Sequence, residues 1–273
     1  MDKIVIEGGR PLSGRVTVSA AKNAALPILA AALLTDEPLD LENVPDLADI
    51  SSMRRLLQLL GVEVTHKAGV AGHVVMHCPQ LLSTTAPYDL VRKMRASVLV
   101  LGPLLARAGE ARVSLPGGCA IGTRPVDIHL AGLEALGARI DLEGGYIVAK
   151  AEGGLVGAEF LLPKVSVGAT ENLMLAASLA RGRTVLHNCA REPEIVDLAN
   201  CLTAMGARIE GAGTANLTID GVEALHGARH RIIPDRIETA TYVMAAGISR
   251  GRVEIEGADP AHFHVALDKL ERA

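Results

Sequence analysis

Three stretches of the chain end alike: "LLQLLGVEV" (56–64), "LEALGARID" (133–141) and "LTAMGARIE" (202–210). Each reads as the last turn of an amphipathic helix, a glycine, and then a strand. The glycines are Gly61, Gly137 and Gly206, spaced by 76 and then 69 residues. A nearly fixed period of this size marks a chain built from repeated supersecondary units. Positions 11, 8, 4 and 1 before each glycine form a helical stripe. The stripes are Ile50, Met53, Leu57 and Leu60; Val126, His129, Leu133 and Leu136; Ile195, Leu198, Leu202 and Met205.

Working outward, every unit shows one plan. A helix of small residues comes first: "AALPILAAALL", "RASVLVLGPLLARAG", "TENLMLAASLARG" and "TATYVMAAGISRG". A strand follows: "LDLENV", "ARVSLP", "TVLHNC" and "RVEIEG". A loop, the striped helix, its glycine and one or two more strands complete the unit. Gly109, Gly182 and Gly251 stand where left-handed caps of the first helices are expected. Pro103 is expected to kink the first helix of the second unit. The fold class is therefore α/β, made of repeated helix–strand units. A fourth unit begins near Arg236, with the stripe Phe263, Ala266, Leu270 and Ala273. Its next residue should be the turn glycine, so the pattern predicts a chain cut inside a repeat, with an apolar helix face lacking its sheet.

Composition narrows the function classes. Hydrophobic residues make up 49% of 273, aromatics only 2%, and the net charge is −4. The core must be packed with Ala, Leu, Val and Ile, and few rings are available to stack on bases. The negative balance argues against nucleic acid as a partner. The apolar runs are interrupted by Pro or Gly and too short to cross a bilayer, so no membrane role is expected. Four cysteines without regular spacing or a CxxC pair argue against a disulfide framework or a zinc site and fit a reducing cytoplasm. The opening "MDKIVIEGGR" reads as a strand with Ile4 and Ile6 on one face, not as a signal peptide.

The loop between strand and striped helix is longest in the second unit. Ten residues separate Leu115 from Val126, against 8, 8 and 7 in the first, third and fourth units. Within "SLPGGCAIGTRPVDIH" (114–129), Gly117, Gly118 and Gly122 give backbone freedom around Cys119. Two readings stand for Cys119: a small buried side chain in a turn, or a thiol activated by Arg124 on a loop that closes over substrate. His129 likewise reads either as a hydrogen-bonded core residue or as a group that positions the site. Cations stand near the starts of the small-residue helices: Lys22 beside Asn23, Arg95, and Lys164 in "PKVSVGAT". Helix starts bind anions, so a local anion site is expected despite the overall charge. Cys189, Arg92 and Lys93 read as ordinary structural or solvated residues.

The segments "AKNAALPI", "YDLVRKMRASVLVLGPLLAR", "LPGGCAIGTRPVDIHLAGLEALGA", "KVSVGATEN", "AREPEIVDLAN" and "PDRIETATY" resemble the UDP-N-acetylglucosamine 1-carboxyvinyltransferase branch of the enolpyruvyl transferases. The resemblance runs through the whole chain. It implies two similar domains, each an inside-out α/β barrel of three repeats with helices inside and sheets outside. Six units at this period need roughly 420 residues. Residues 22–233 would be a complete first domain, and residues 1–21 and 234–273 part of a second, incomplete one.

The implied reaction moves enolpyruvyl from phosphoenolpyruvate to the 3-hydroxyl of UDP-N-acetylglucosamine and releases phosphate, opening peptidoglycan precursor synthesis in the cytoplasm. By motif match Cys119 would be the acid, able also to carry an enolpyruvyl-derived adduct and to be alkylated by the antibiotic fosfomycin. Lys22 and Arg124 would bind phosphoenolpyruvate, with Asn23 orienting the reacting groups. Arg95, the run Arg124, Pro125, Val126, Asp127 and Ile128, and Lys164, Val165, Ser166 and Val167 would hold the nucleotide sugar. No metal or organic cofactor is implied, and the oligomeric state stays open. The branch's acid–base aspartate and further phosphate-binding arginines would lie past Ala273, and Asp235, Glu192 and Glu194 are not substitutes. The chain alone is thus expected to turn over little. Two alternatives stand beside this: a transferase like 5-enolpyruvylshikimate-3-phosphate synthase, or a non-catalytic fragment that binds a nucleotide sugar.

Overall fold

In the computed structural model, which describes residues 3–92, 94–115 and 126–272, the repeat plan is visible as an order of elements. The chain starts with β1 (Ser13–Thr17). The first repeat then holds α1 (Lys22–Ala31), β2 (Leu39–Glu42), α2 (Ala48–Leu60), β3 (Glu63–His66) and β4 (Val74–His77). The second holds β5 (Thr85–Ala86), α3 (Tyr88–Val91), a 3₁₀ stretch Arg95–Val100, α4 (Leu101–Ala108), β6 (Glu110–Ser114), α5 (Asp127–Ala135), β7 (Arg139–Glu143) and β8 (Tyr146–Lys150). The third holds β9 (Glu159–Leu161), α6 (Val167–Ala177), β10 (Arg183–His187), α7 (Pro193–Ala204), β11 (Arg208–Glu210) and β12 (Asn216–Asp220). After them come β13 (Ala228–Arg231), α8 (Arg236–Ile248), β14 (Arg252–Glu256) and α9 (His264–Glu271).

Two units separate by packing. One is Lys22–Ile232; the other joins Met1–Ala21 with Ile233–Ala273. In the larger unit three four-stranded sheets share one design. The strand before a first helix pairs parallel with the strand after it, β5 with β6 and β9 with β10. The remaining two strands of each repeat then add antiparallel. The first repeat keeps this shape, but its parallel edge is β13, with Ala228–Arg231 against Leu39–Glu42. β1, which precedes α1, pairs instead with β14 in the smaller unit. The two strands have exchanged places, so the edge of β2 that β1 leaves bare is covered by β13 rather than left open.

The first helices lie inside. α1 buries every residue from Ala24 to Ala31, and α6 every residue from Ala169 to Ala177. A helix buried all round can pack closely only if its side chains are small. α4 lies on α6 so tightly that a Cβ on Gly102 would stand 2.5 Å from both the backbone oxygen and the Oδ1 of Asn172. Arg107, in the last turn of α4, donates to the carbonyls of Leu33, Thr35 and Cys78 at 2.9–3.1 Å. It thereby satisfies carbonyls at the helix end and strand end of the neighbouring repeat. The striped helices are amphipathic, and all twelve stripe residues of the three repeats are buried. Gly61, Gly137 and Gly206 are left-handed, with φ of 117°, 91° and 100°.

Four expectations need correction. Ile4 and Ile6 are exposed and outside any strand; alternation alone does not make a strand without a partner edge. Gly109 is the left-handed cap of α4, but Gly182 (φ 90°) lies five residues past the end of α6, in the connection to β10. After α8 the left-handed residue is Arg250 (φ 51°), not Gly251. Gly251 is needed for space instead, because a Cβ there would meet the Leu12 carbonyl oxygen at 2.1 Å. Pro103 produces a change of helix type, 3₁₀ up to Val100 and α from Leu101, in place of a kinked α-helix. In α8 and α9, Ile237, Met244, Ile248, Val265 and Leu270 are exposed.

The α4–α6 contact makes a prediction. Gly102→Ala forces its methyl against a backbone oxygen and should cost about 2 kcal/mol in urea unfolding. An unchanged midpoint would show that the helices are not this close.

Candidate active site

A buried polar cluster of the larger unit sits where the 3₁₀ stretch, α5 and α6 meet. Asn172, on α6, is fully buried. Its Oδ1 accepts from Gly102 N at 2.9 Å, and its Nδ2 faces the Val98 carbonyl at 3.3 Å and His129 Nδ1 at 3.1 Å. His129, on α5, is buried, and its ring lies against Gly168 in the first turn of α6, whose Cβ would stand 3.3 Å from Cε1. Burial, then the charge of Arg95, lower the imidazole pKa to about 4, against a smaller opposing pull from Asp127. Arg95 opens the 3₁₀ stretch.

α6 starts as its sequence dictates. Ser166 is the N-cap, its hydroxyl accepting from Ala169 N, while Thr170 Oγ1 donates to the Ser166 carbonyl at 2.8 Å. Val167 and Gly168 carry N–H groups of the kind a helix start leaves without an internal partner. Lys164 and Val165, just before the cap, are exposed. The geometry therefore sets His129 against the α6 start, with the 3₁₀ stretch that Arg95 opens packed on α6, and a helix start suits an anion.

Lys22 and Asn23 open α1, as expected. Lys22 Nζ bonds to Asp49 Oδ2 at 2.7 Å, a pair in which both side chains are 38% exposed. Asp49 lies in the first turn of α2 and holds the ammonium in place. Val126 and Ile128 turn their side chains into the core, leaving Asp127 exposed at the first position of α5. Cys119, Arg124 and Pro125, with Gly117, Gly118 and Gly122, lie outside the described residues. Asp235 is the N-cap of α8, its Oδ1 accepting from Ile237 N and Glu238 N.

Sequence reasoning passed over Asn172, Asp49 and Glu171. Asn172 left a trace, since it is the one amide in the apolar run "NLMLAASLA" (172–180). Glu171 is buried; burial, with the Glu194 and Glu192 charges, holds its carboxyl well above the usual range. Cys189 reads correctly as structural: it is buried, and burial pushes its thiol up to about 11. Among the described residues no group of three or more His, Cys, Asp or Glu is placed to hold a metal ion. None of the helices is long and apolar enough to cross a membrane among those residues.

The fold is that of the enolpyruvyl transferases, and the chain belongs to the EPSP synthase (3-phosphoshikimate 1-carboxyvinyltransferase) family, whose model matches residues 6–273. Within it the chain is 61% identical to a UDP-N-acetylglucosamine 1-carboxyvinyltransferase of Rhodospirillum centenum, over 96% of this chain and 63% of the relative. It is 58% identical to one of Chelativorans sp., over 100% of this chain and 65% of the relative. The chain thus spans 63–65% of the length of these relatives. A solved structure of EPSP synthase from Acinetobacter baumannii superposes with a TM-score of 0.75 at 18% identity, covering 97% of this chain and 60% of that one, and shares the fold.

His129 generates a pH prediction. Its folded pKa of about 4 lies below the ordinary 6.5, so the unfolded chain binds the proton first. The His129 contribution is complete above about pH 6.5 and is lost as pH falls from there towards 4. Between pH 7 and pH 5 the chain should lose about 2 kcal/mol that a His129→Gln variant does not lose, measured by urea unfolding. Equal losses in both proteins contradict the burial of a neutral ring.

Proposed function

We propose that this chain carries the cysteine-loop part of a site that transfers enolpyruvyl from phosphoenolpyruvate to the 3-hydroxyl of UDP-N-acetylglucosamine. Residues 22–233 form its complete first domain, and residues 1–21 and 234–273 belong to a second. The observation that supports this most is the 57–61% identity, over 94–100% of the chain, to relatives that bear that activity in their names. The cations at helix starts agree with it, since both substrates are phosphorylated.

The chemistry is addition followed by elimination. A proton goes to C3 of phosphoenolpyruvate, C2 becomes electrophilic, and the sugar oxygen adds there as its own proton leaves. Loss of a proton from C3 then expels phosphate and restores the double bond. Cys119 is the acid in this reading. Lys22 and Arg124 neutralise the phosphate and carboxylate of phosphoenolpyruvate, and Asn23 orients the reacting groups. Lys22 already has a carboxylate partner in Asp49, so it is held at the start of α1 before an anion arrives. Arg95, the exposed Asp127, and the segment Lys164–Val167 take the nucleotide sugar, with α6 offering backbone N–H groups to its diphosphate.

Reactivity towards fosfomycin tests the assignment of the thiol. The other three cysteines, Cys78, Cys189 and Cys201, are buried, and burial raises each thiol pKa, which leaves little thiolate to react. Incubation with fosfomycin should therefore add one equivalent, mapped by peptide mass to Cys119, and a Cys119→Ser variant should gain none. An adduct on another cysteine, or none under conditions where UDP-N-acetylglucosamine binds, overturns the role given to Cys119. The shikimate-type alternative, which lacks this thiol, would gain by the second result.

A further inference from the structure

Asn172 is satisfied on every side, and the order in which its partners constrain it fixes the chemistry of its neighbour. The Gly102 N–H can only donate, so the carboxamide must turn Oδ1 towards it, at 2.9 Å. The NH₂ group then points the other way, towards the Val98 carbonyl, which can only accept, and towards His129 Nδ1 at 3.1 Å. Its two hydrogens serve those two acceptors. Flipping the amide would set hydrogens against the Gly102 N–H and an oxygen against the Val98 oxygen. His129 Nδ1 therefore carries a lone pair, and the ring proton resides on Nε2. That side of the ring is the one against Gly168, at the start of α6.

We propose that Asn172 is a positioning residue: its carboxamide holds His129 neutral with the proton on Nε2, so that a fixed N–H donor faces an oxygen of a nucleotide diphosphate at the start of α6. The ligand class rests on the function proposed above; the tautomer does not. The device has a reason. A ring that gained a second proton near neutrality would make ligand binding vary with pH, and a ring free to change its tautomer would present a lone pair to an anion part of the time.

The surrounding charges are consistent with a neutral ring. Arg95, at the head of the 3₁₀ stretch, disfavours the imidazolium, and Asp127, on the first turn of α5 itself, favours it less strongly. α6 presents Asn172 and Gly168 here, neither of which titrates. β7 and β9 also pack on α5, and their charged residues Arg139, Asp141, Glu143 and Glu159 are all exposed. Of these, Arg139 pairs with Asp141, and Glu159 with His187.

Nitrogen-15 spectra of the histidine rings, recorded on the chain from pH 8 to pH 5 with and without UDP-N-acetylglucosamine, test this. We expect His129 to stay neutral as the Nε2–H form throughout, and its signals to move when the nucleotide sugar is added. An Nδ1–H form, protonation near pH 6.5, or binding that leaves the ring signals in place overturns the inference. Asn172→Asp reverses the polarity. Its carboxylate faces Nδ1 and draws the proton there, so the neutral ring shows the ligand a lone pair. Affinity for UDP-N-acetylglucosamine, flat between pH 6 and pH 8 in the unchanged chain, should then fall about tenfold as pH rises through the ring's pKa. A flat profile in that variant contradicts the proposal. If the variant does not fold, the spectrum of the unchanged chain still decides. Failure of the unchanged chain to bind the nucleotide sugar tells against the proposed function, while the tautomer is judged separately.

Discussion

The approach of α4 to α6 at Gly102 and Asn172 is the constraint on which the larger unit turns. Only a residue without a side chain lets the two backbones come this near, and only an amide can then serve an N–H, a carbonyl and an imidazole at once. The contact ties the first helix of the second repeat to the first helix of the third. Because α6 is buried from Ala169 to Ala177 and α4 from Leu101 to Leu105, the residues at their contact determine how far apart the helix starts lie. The position of Arg95 and the cap at Ser166 follow from packing in the core. These helix starts inherit the rigidity of the barrel interior, as precise recognition by the proposed site would require.

The sheets bear a different load. Each repeat encloses its first helix between two parallel strands and turns its outer face to solvent. The exchange of β1 and β13 means that the first repeat is completed by residues from the far end of the unit. Neither strand has a local partner, so the larger unit is held closed by a pairing between residues about 190 positions apart in the chain. Loop closure of that length is slow, although its entropy cost grows only logarithmically.

Much of this was legible in the residues. A stripe such as Ile195, Leu198, Leu202 and Met205 is a local pattern, and its burial needs no knowledge of what lies opposite. The turn glycines were legible for the same reason, since a left-handed φ is a property of the turn itself. What stayed hidden depends on partners far away. Gly251 is a glycine because of the Leu12 carbonyl, and Asn172 is buried because an N–H 70 residues earlier needs an acceptor. The alternation at Ile4 and Ile6 is local too, but a strand is a relation between two segments. Of the site, the cations at helix starts were readable one by one. That the α6 start lies against His129, and that Asp49 pairs with Lys22, are facts of three-dimensional packing.

Charge follows the same logic. The chain is net negative, yet a binding site responds to nearby groups and to oriented N–H dipoles, with distant charges screened by salt. The direct measurement is a crystal structure of this chain with UDP-N-acetylglucosamine. If the gathered helix starts form the anion site, the diphosphate lies within hydrogen-bond distance of Arg95 and of the N–H groups of Val167 and Gly168. A diphosphate bound instead on an outer sheet face, away from those groups, would contradict the whole construction.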